Sequence, residues 1–154
     1  MFSSLTSLRC IDVKAIRWCD LRTNSNGEAE LRYKDTKTKE EITSQISKEA
    51  LKFLPERENA QDEDNIFVFP RNDHANKLLK EWVKAAGITK KITFHCSRHT
   101  AGTLSLTQGN SIEATSKIMG HKKISTTQIY AKIVNETLRI SVNKQDGLFD
   151  GLID

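Results

Sequence analysis

Apolar residues recur at three- and four-residue intervals through LRCIDVKAIRWCDL, at Leu8, Ile11, Ala15, Trp18 and Leu21, and this spacing predicts an amphipathic helix over 8–21. TNSNGE (23–28) follows as a turn, with Asn26-Gly27 as its strongest signal. The period then changes. AELRYKDTKTKEEITSQIS alternates apolar and polar residues on both sides of a Lys/Thr-rich centre, which predicts a hairpin of strands 29–34 and 40–46 with 35–39 at its tip. SKEALKFL (47–54) begins a helix at Ser47. PERENAQDEDN (55–65) reads as a surface loop, and IFVF (66–69) as a short buried strand stopped by Pro70.

Helical periodicity returns in HANKLLKEWVKAAG, with Asp73 as its cap and Gly87 as its end. Three more helices are expected: 96–108 ending at Gly109, 111–119 ending at Gly120, and 125 to about 140, where Ser125 and Gln128 resemble a capping box. The expected class is α+β, mostly helical with a small antiparallel β-sheet. A length of 154 residues suits one domain, taken as 1–143, followed by a tail, 144–154, that carries Leu148, Phe149, Leu152 and Ile153.

Composition narrows the class without naming a function. With 37% hydrophobic and 29% charged residues the chain is that of an ordinary folded protein. No apolar run approaches the roughly 20 residues that cross a bilayer, and MFSSLTSLRC lacks the basic leader of a signal peptide, so a cytoplasmic protein is expected. The cysteines are Cys10, Cys19 and Cys96, an odd number that argues for reduced thiols. A net charge of +4 is compatible with a polyanionic partner but does not identify one.

The chemistry concentrates in TFHCSRHTAGTLSL (93–106), where His95, Arg98 and His99 crowd the start of a predicted helix. A metal site fits poorly: a structural zinc needs four ligands in paired knuckles, Cys10 and Cys19 lack that spacing, and HCSRH has no HExxH glutamate. A solvated, structural helix start remains open on these residues alone.

Further residues change the reading. IMGHKKISTTQIYAKI (118–133) places His121 just past a helix-ending glycine and Tyr130 on the next helix, so HxxR, GH and Y occur in order. With TSLRCIDVKAIRW upstream and the lysine-rich hairpin between, the chain resembles the catalytic domain of the tyrosine recombinases, or phage integrases, and most those of bacterial mobile elements. The resemblance spans nearly the whole chain. It implies Arg9, His95, Arg98, His121 and Tyr130 as catalytic residues, Lys37 as the hairpin lysine ahead of Lys39 and Lys34, and Asp12 as a supporting acid. Lys39, Lys122 and Lys123 are expected DNA contacts, and His74, Cys96 and His99 fall to structural roles. Ser7 stands where the family usually has glycine. The family's N-terminal DNA-clamping domain has no counterpart, so the chain reads as a catalytic fragment, expected to be monomeric.

The implied reaction is DNA cleavage and rejoining through a 3′-phosphotyrosyl link, with no metal and no cofactor, on double-stranded DNA held by four protomers of the full-length protein. The residue types suit it. Two guanidiniums offer planar forks of N–H donors to phosphate oxygens, His121 adds a donor, and a tyrosine can form the covalent link if a base such as His95 takes its proton. Two other readings stay open: a type IB topoisomerase-like relaxing enzyme, and a catalytically silent DNA-binding remnant or regulator.

Overall fold

The computed structural model describes the backbone of residues 1–69 and 72–143 and the side chains of 1–69 and 76–139. The expected tail packing of Leu148, Phe149, Leu152 and Ile153, and the roles given to His74 and Asp73, lie outside the described side chains. The fold is α+β and mostly helical, with one three-stranded antiparallel sheet. Its contacts form two units, residues 1–101 and 102–154.

In the first unit, helix α1 (Phe2–Thr6) ends at Ser7, whose backbone is left-handed (φ 57°, ψ 9°). That reversal brings Arg9 in extended conformation to the N-cap of α2 (Cys10–Ala15). The helix predicted over 8–21 stops there, because the acidic loop takes the backbone groups that would have continued it. The Ile16 carbonyl accepts from the Ile66 amide (3.0 Å), and the Trp18 and Cys19 amides donate to the carbonyls of Asp64 and Asp62 (3.1 and 2.8 Å). A 3-10 turn (Trp18–Asp20) follows, its start fixed by the Arg17 amide on Asp20 (2.8 Å).

Leu21–Thr23 is then strand β1, a strand the helical spacing concealed. It pairs with β2 (Ala29–Lys34), which pairs with β3 (Glu41–Gln45), in the registers Leu21 with Leu31 and Tyr33 with Ile42. The turn at Gly27 (φ 77°) stands where the sequence places it, and the hairpin tip runs over 35–40, one residue longer than expected. Ser47 caps α3 (Lys48–Leu51) by accepting from the Ala50 amide. The core gathers Phe2, Leu8, Val13, Ile16, Leu31, Ile46, Ala50 and Ile66. Burying a side chain such as Leu31 contributes about 2 kcal/mol.

Residues 66–69 do not form the expected strand. They have no ladder partner beyond a single bridge from Asn65 to Arg17. Their apolar character serves ring packing instead: Phe67 contacts Phe2 and Phe69, and Phe69 contacts Phe94, with centroids 5.1, 6.5 and 5.9 Å apart, while Val68 stays exposed. Helix α4 (Asn72–Ala85) begins one residue before Asp73, so Asp73 lies inside the helix and not at its cap. It closes at Gly87 (φ 69°).

Helix α5 (Phe94–Thr107) runs from the first unit into the second. There, Ser111 caps α6 (Ile112–Ile118) by accepting from the Ala114 amide, and Gly120 (φ 60°) ends it. A 3-10 turn (Ile124–Thr126) leads into α7 (Gln128–Asn143). The Ser125–Gln128 capping box is therefore absent: Ser125 sits within the 3-10 turn, and α7 starts only after Thr127. Buried hydroxyls lace this unit, as in Ser105 with Thr115 (2.9 Å).

Candidate active site

Arg9 sits at the first turn of α2, where its Nη1 donates to Oδ2 of Asp35 (2.5 Å) and lies 3.7 Å from Oδ2 of Asp12. Both carboxylates are buried, and both also grip the hairpin tip. Asp12 accepts from the Thr36 amide (3.0 Å), while Oδ1 of Asp35 accepts from the amides of Lys37 and Thr38 (both 2.8 Å). Burial pushes the Asp35 carboxyl up. The amides of Thr38 and Lys37 and the Arg9 guanidinium outweigh that and hold it below the usual carboxylate value.

The tip is further closed by Lys39, whose amide donates to the Asp35 carbonyl (2.8 Å) and whose φ is 62°. Lys37 and Lys39 both stand exposed on the tip, whereas Lys34 belongs to strand β2, opposite Glu41. Asp12, the expected supporting acid, stands beside Arg9 and the hairpin tip. Asp35 was missed, because within a lysine- and threonine-rich tip an aspartate reads as a plain turn residue.

Arg98, on α5, is buried, and its Nη1 donates to the Ser7 carbonyl at 2.5 Å. The left-handed Ser7 turn thus aims a carbonyl at one arginine while delivering another two residues later. A left-handed backbone at Ser7 also accounts for the glycine usual at that position. His95, one turn before Arg98, is exposed and meets His99 edge to face, with centroids 4.7 Å apart.

Desolvation, then the charges of His99, Arg98 and Arg9, lower the His95 pKa, so the neutral, proton-accepting imidazole is favoured. Cys96 faces Thr93, whose amide donates to its Sγ (3.4 Å), and the thiol is pulled below its usual range. Among the described residues, no three His, Cys, Asp or Glu side chains gather as a metal site.

Tyr33 is a second residue the sequence did not flag. It shares a strand face with Leu31, is half-buried, and its phenol is pushed up to about 12 by burial and by the Asp12 and Asp35 carboxylates, against Arg9 and Arg98. The same electrostatic neighbourhood therefore takes in Arg9, Asp12, Tyr33, Asp35 and Arg98.

The second unit carries the remaining pair. Gly120 turns the chain so that the His121 amide donates to the Ser116 carbonyl (2.9 Å) and the imidazole swings toward α7. Nδ1 of His121 lies 2.8 Å from Oγ1 of the fully buried Thr127. The His121 ring is parallel to that of Tyr130, at 9° with centroids 6.4 Å apart, and Tyr130 is buried. Lys122 and Lys123 are exposed beside His121. Within each unit the predicted residues converge: Arg9, Asp12, the hairpin tip, His95 and Arg98 in the first, His121 and Tyr130 in the second.

The fold has known counterparts. Residues 1–136 match the model of the phage integrase family. The chain belongs to that family. Over 101 residues it is 36% identical to tyrosine recombinase XerA of Thermococcus onnurineus, a match that takes in 60% of this chain and 35% of the relative. The chain thus spans about a third of that relative's length. Among solved structures, the catalytic domain of bacteriophage HP1 integrase superposes with a TM-score of 0.64 at 22% identity, over 92% of this chain and 76% of that one. XerH recombinase, bound to its palindromic difH substrate after cleavage, gives 0.70 at 18% identity, over 91% of this chain and 42% of that one. This member of the phage integrase family has no described helix long and apolar enough to cross a membrane.

Proposed function

We propose that the chain is the catalytic part of a site-specific DNA recombinase that cleaves and rejoins double-stranded DNA through a 3′-phosphotyrosyl intermediate. The reading is carried by one observation: in a phage integrase chain, the tyrosine of the motif packs against the motif histidine, and the two motif arginines share an electrostatic neighbourhood with a motif histidine whose pKa is lowered. Recombinase relatives and the DNA-bound XerH neighbour support the same substrate class.

The steps follow from the residue chemistry. Arg9, Arg98 and His121 donate hydrogen bonds to the non-bridging phosphate oxygens and stabilise the charge that grows there. The Tyr130 phenol passes its proton to His95, and its oxygen bonds to phosphorus as the bond from phosphorus to the 5′-oxygen breaks. Lys37 gives the leaving 5′-oxygen its proton. Reversal with a 5′-hydroxyl of another strand restores a diester, so the bond energy is conserved and neither a metal nor a cofactor is needed. Lys39, Lys122 and Lys123 hold flanking phosphates. Strand exchange between two duplexes calls for four protomers.

A duplex nicked beside the scissile phosphate tests this, because the short 5′ product diffuses away and traps the covalent adduct. The protein forms an adduct linked at Tyr130, and Tyr130→Phe forms none. Adduct formation by Tyr130→Phe sinks the assignment.

A further inference from the structure

Thr127 is fully buried at the turn into α7, and its amide, carbonyl and hydroxyl are all engaged. The amide donates to the Ile124 carbonyl (2.8 Å), the carbonyl accepts from the Tyr130 amide (3.0 Å), and Oγ1 lies 2.8 Å from Nδ1 of His121. A neutral imidazole can make the last contact in two ways: protonated at Nδ1 it donates to the hydroxyl, and protonated at Nε2 it accepts from it. Burial decides between them. Among the described residues the Thr127 hydroxyl has one hydrogen-bond partner, the His121 nitrogen. With the ring proton on Nδ1, the hydroxyl proton would be buried without an acceptor, a loss that biases the ring toward Nε2–H by about tenfold or more.

We propose that Thr127 is a positioning residue: its hydroxyl donates to Nδ1 of His121 and so keeps the ring proton on Nε2, the nitrogen that serves the phosphate. The inference rests on His121 being a phosphate donor. An Nε2 without its proton would turn a lone pair toward the anion and repel it, so the tautomer decides whether His121 helps or hinders. The same contact fixes the rotation of the ring, which stands parallel to Tyr130 at 9°. Because the Thr127 carbonyl also holds the Tyr130 amide, one residue ties the donor and the nucleophile to a common point.

The experiment reads the ring-nitrogen NMR shifts of His121 in mildly alkaline solution, assigned by their loss in His121→Ala, and first-order adduct formation at saturating nicked duplex. In the unaltered protein Nδ1 resonates as a bare nitrogen and Nε2 as a protonated one. Thr127→Val keeps the shape and removes the hydroxyl; the two shifts then move toward a tautomer average, and adduct formation slows about 10- to 100-fold. Thr127→Ser, which restores the hydroxyl, recovers most of that rate. In a His121→Ala background Thr127→Val costs no further rate, because the residue acts through the ring. A ring protonated at Nδ1, or a Thr127→Val loss of the same size with and without His121, overturns the proposal. Should Thr127→Val fail to fold, the spectrum of the unaltered protein decides alone. Full rate in His121→Ala overturns the proposal together with the donor role of His121, whereas full rate in Thr127→Val beside a slowed His121→Ala overturns the proposal only.

Discussion

One oxygen of the Asp35 carboxylate accepts the Arg9 guanidinium at 2.5 Å while the other accepts the Lys37 amide at 2.8 Å. A single buried anion thereby fixes the first arginine of the motif and the backbone of the candidate general acid in one geometry. Neither can shift alone without stretching a charge-assisted hydrogen bond.

Replacing Asp35 by Asn keeps an acceptor for the hairpin amides and removes the anion that faces Arg9. The expected cost is about 2 kcal/mol in urea unfolding at neutral pH. Because the folded carboxyl titrates below its usual value, its stabilisation is complete above the unfolded pKa of about 3.9 and is lost as pH falls through the folded value. The gap between the two proteins is therefore steady from about pH 7 to 5 and shrinks in stronger acid. A gap that widens on acidification contradicts the pairing.

His95 must be neutral to accept the tyrosine proton, and its lowered pKa keeps it so into mildly acidic solution. The acid limb of single-turnover cleavage should have its midpoint below the ordinary histidine value of about 6.5. His99→Gln removes one of the charges acting on the ring and moves that midpoint up. A midpoint that stays in place or moves down in the variant excludes His95 as the titrating base.

Lys37→Ala should slow cleavage by about 100-fold or more, the usual worth of a positioned general acid. A substrate whose leaving oxygen is replaced by sulfur departs as a thiolate without needing a proton, so this substitution should restore most of the lost rate. Lys39→Ala should leave the rate at saturating DNA near that of the unaltered protein and flatten the salt dependence of binding by about one phosphate contact. Rescue of Lys39→Ala by sulfur, and not of Lys37→Ala, would exchange the two roles.

At position 7 the backbone decides. Ser7→Gly should keep stability within about 0.5 kcal/mol and leave cleavage intact, since the backbone carbonyl that accepts from Arg98 is kept. Ser7→Val places a β-branched residue at a left-handed angle and should cost about 2 kcal/mol, with a drop in cleavage as the Arg98 anchor turns away. Thermal melts and the nicked-duplex assay read both effects.

What the sequence discloses here follows from where each signal resides. The hairpin, the Gly87, Gly109 and Gly120 helix ends and the Ser47 cap are local chemistry, and all stand as expected. The helix over 8–21 failed because its second half bonds to residues some 45 positions away, in a loop whose composition is silent about pairing. IFVF has the composition of a strand, but ring contacts claim it. Among site residues, the motif positions were legible through family resemblance. Asp35 and Thr127 were not, because each acts through another side chain, Arg9 26 positions away and His121 six away, and carries no motif of its own.

The hairpin tip is held from beneath, by Asp12 and Asp35 gripping the amides of residues 36, 37 and 38. The anchor reads backbone and not side chains, so what the positions beside Lys37 display outward can vary while the loop keeps its shape. The tip is in effect an exchangeable reading head on a fixed mount. Variants meant to alter which DNA this chain engages can be made there, provided Lys37 and the two aspartates are left alone.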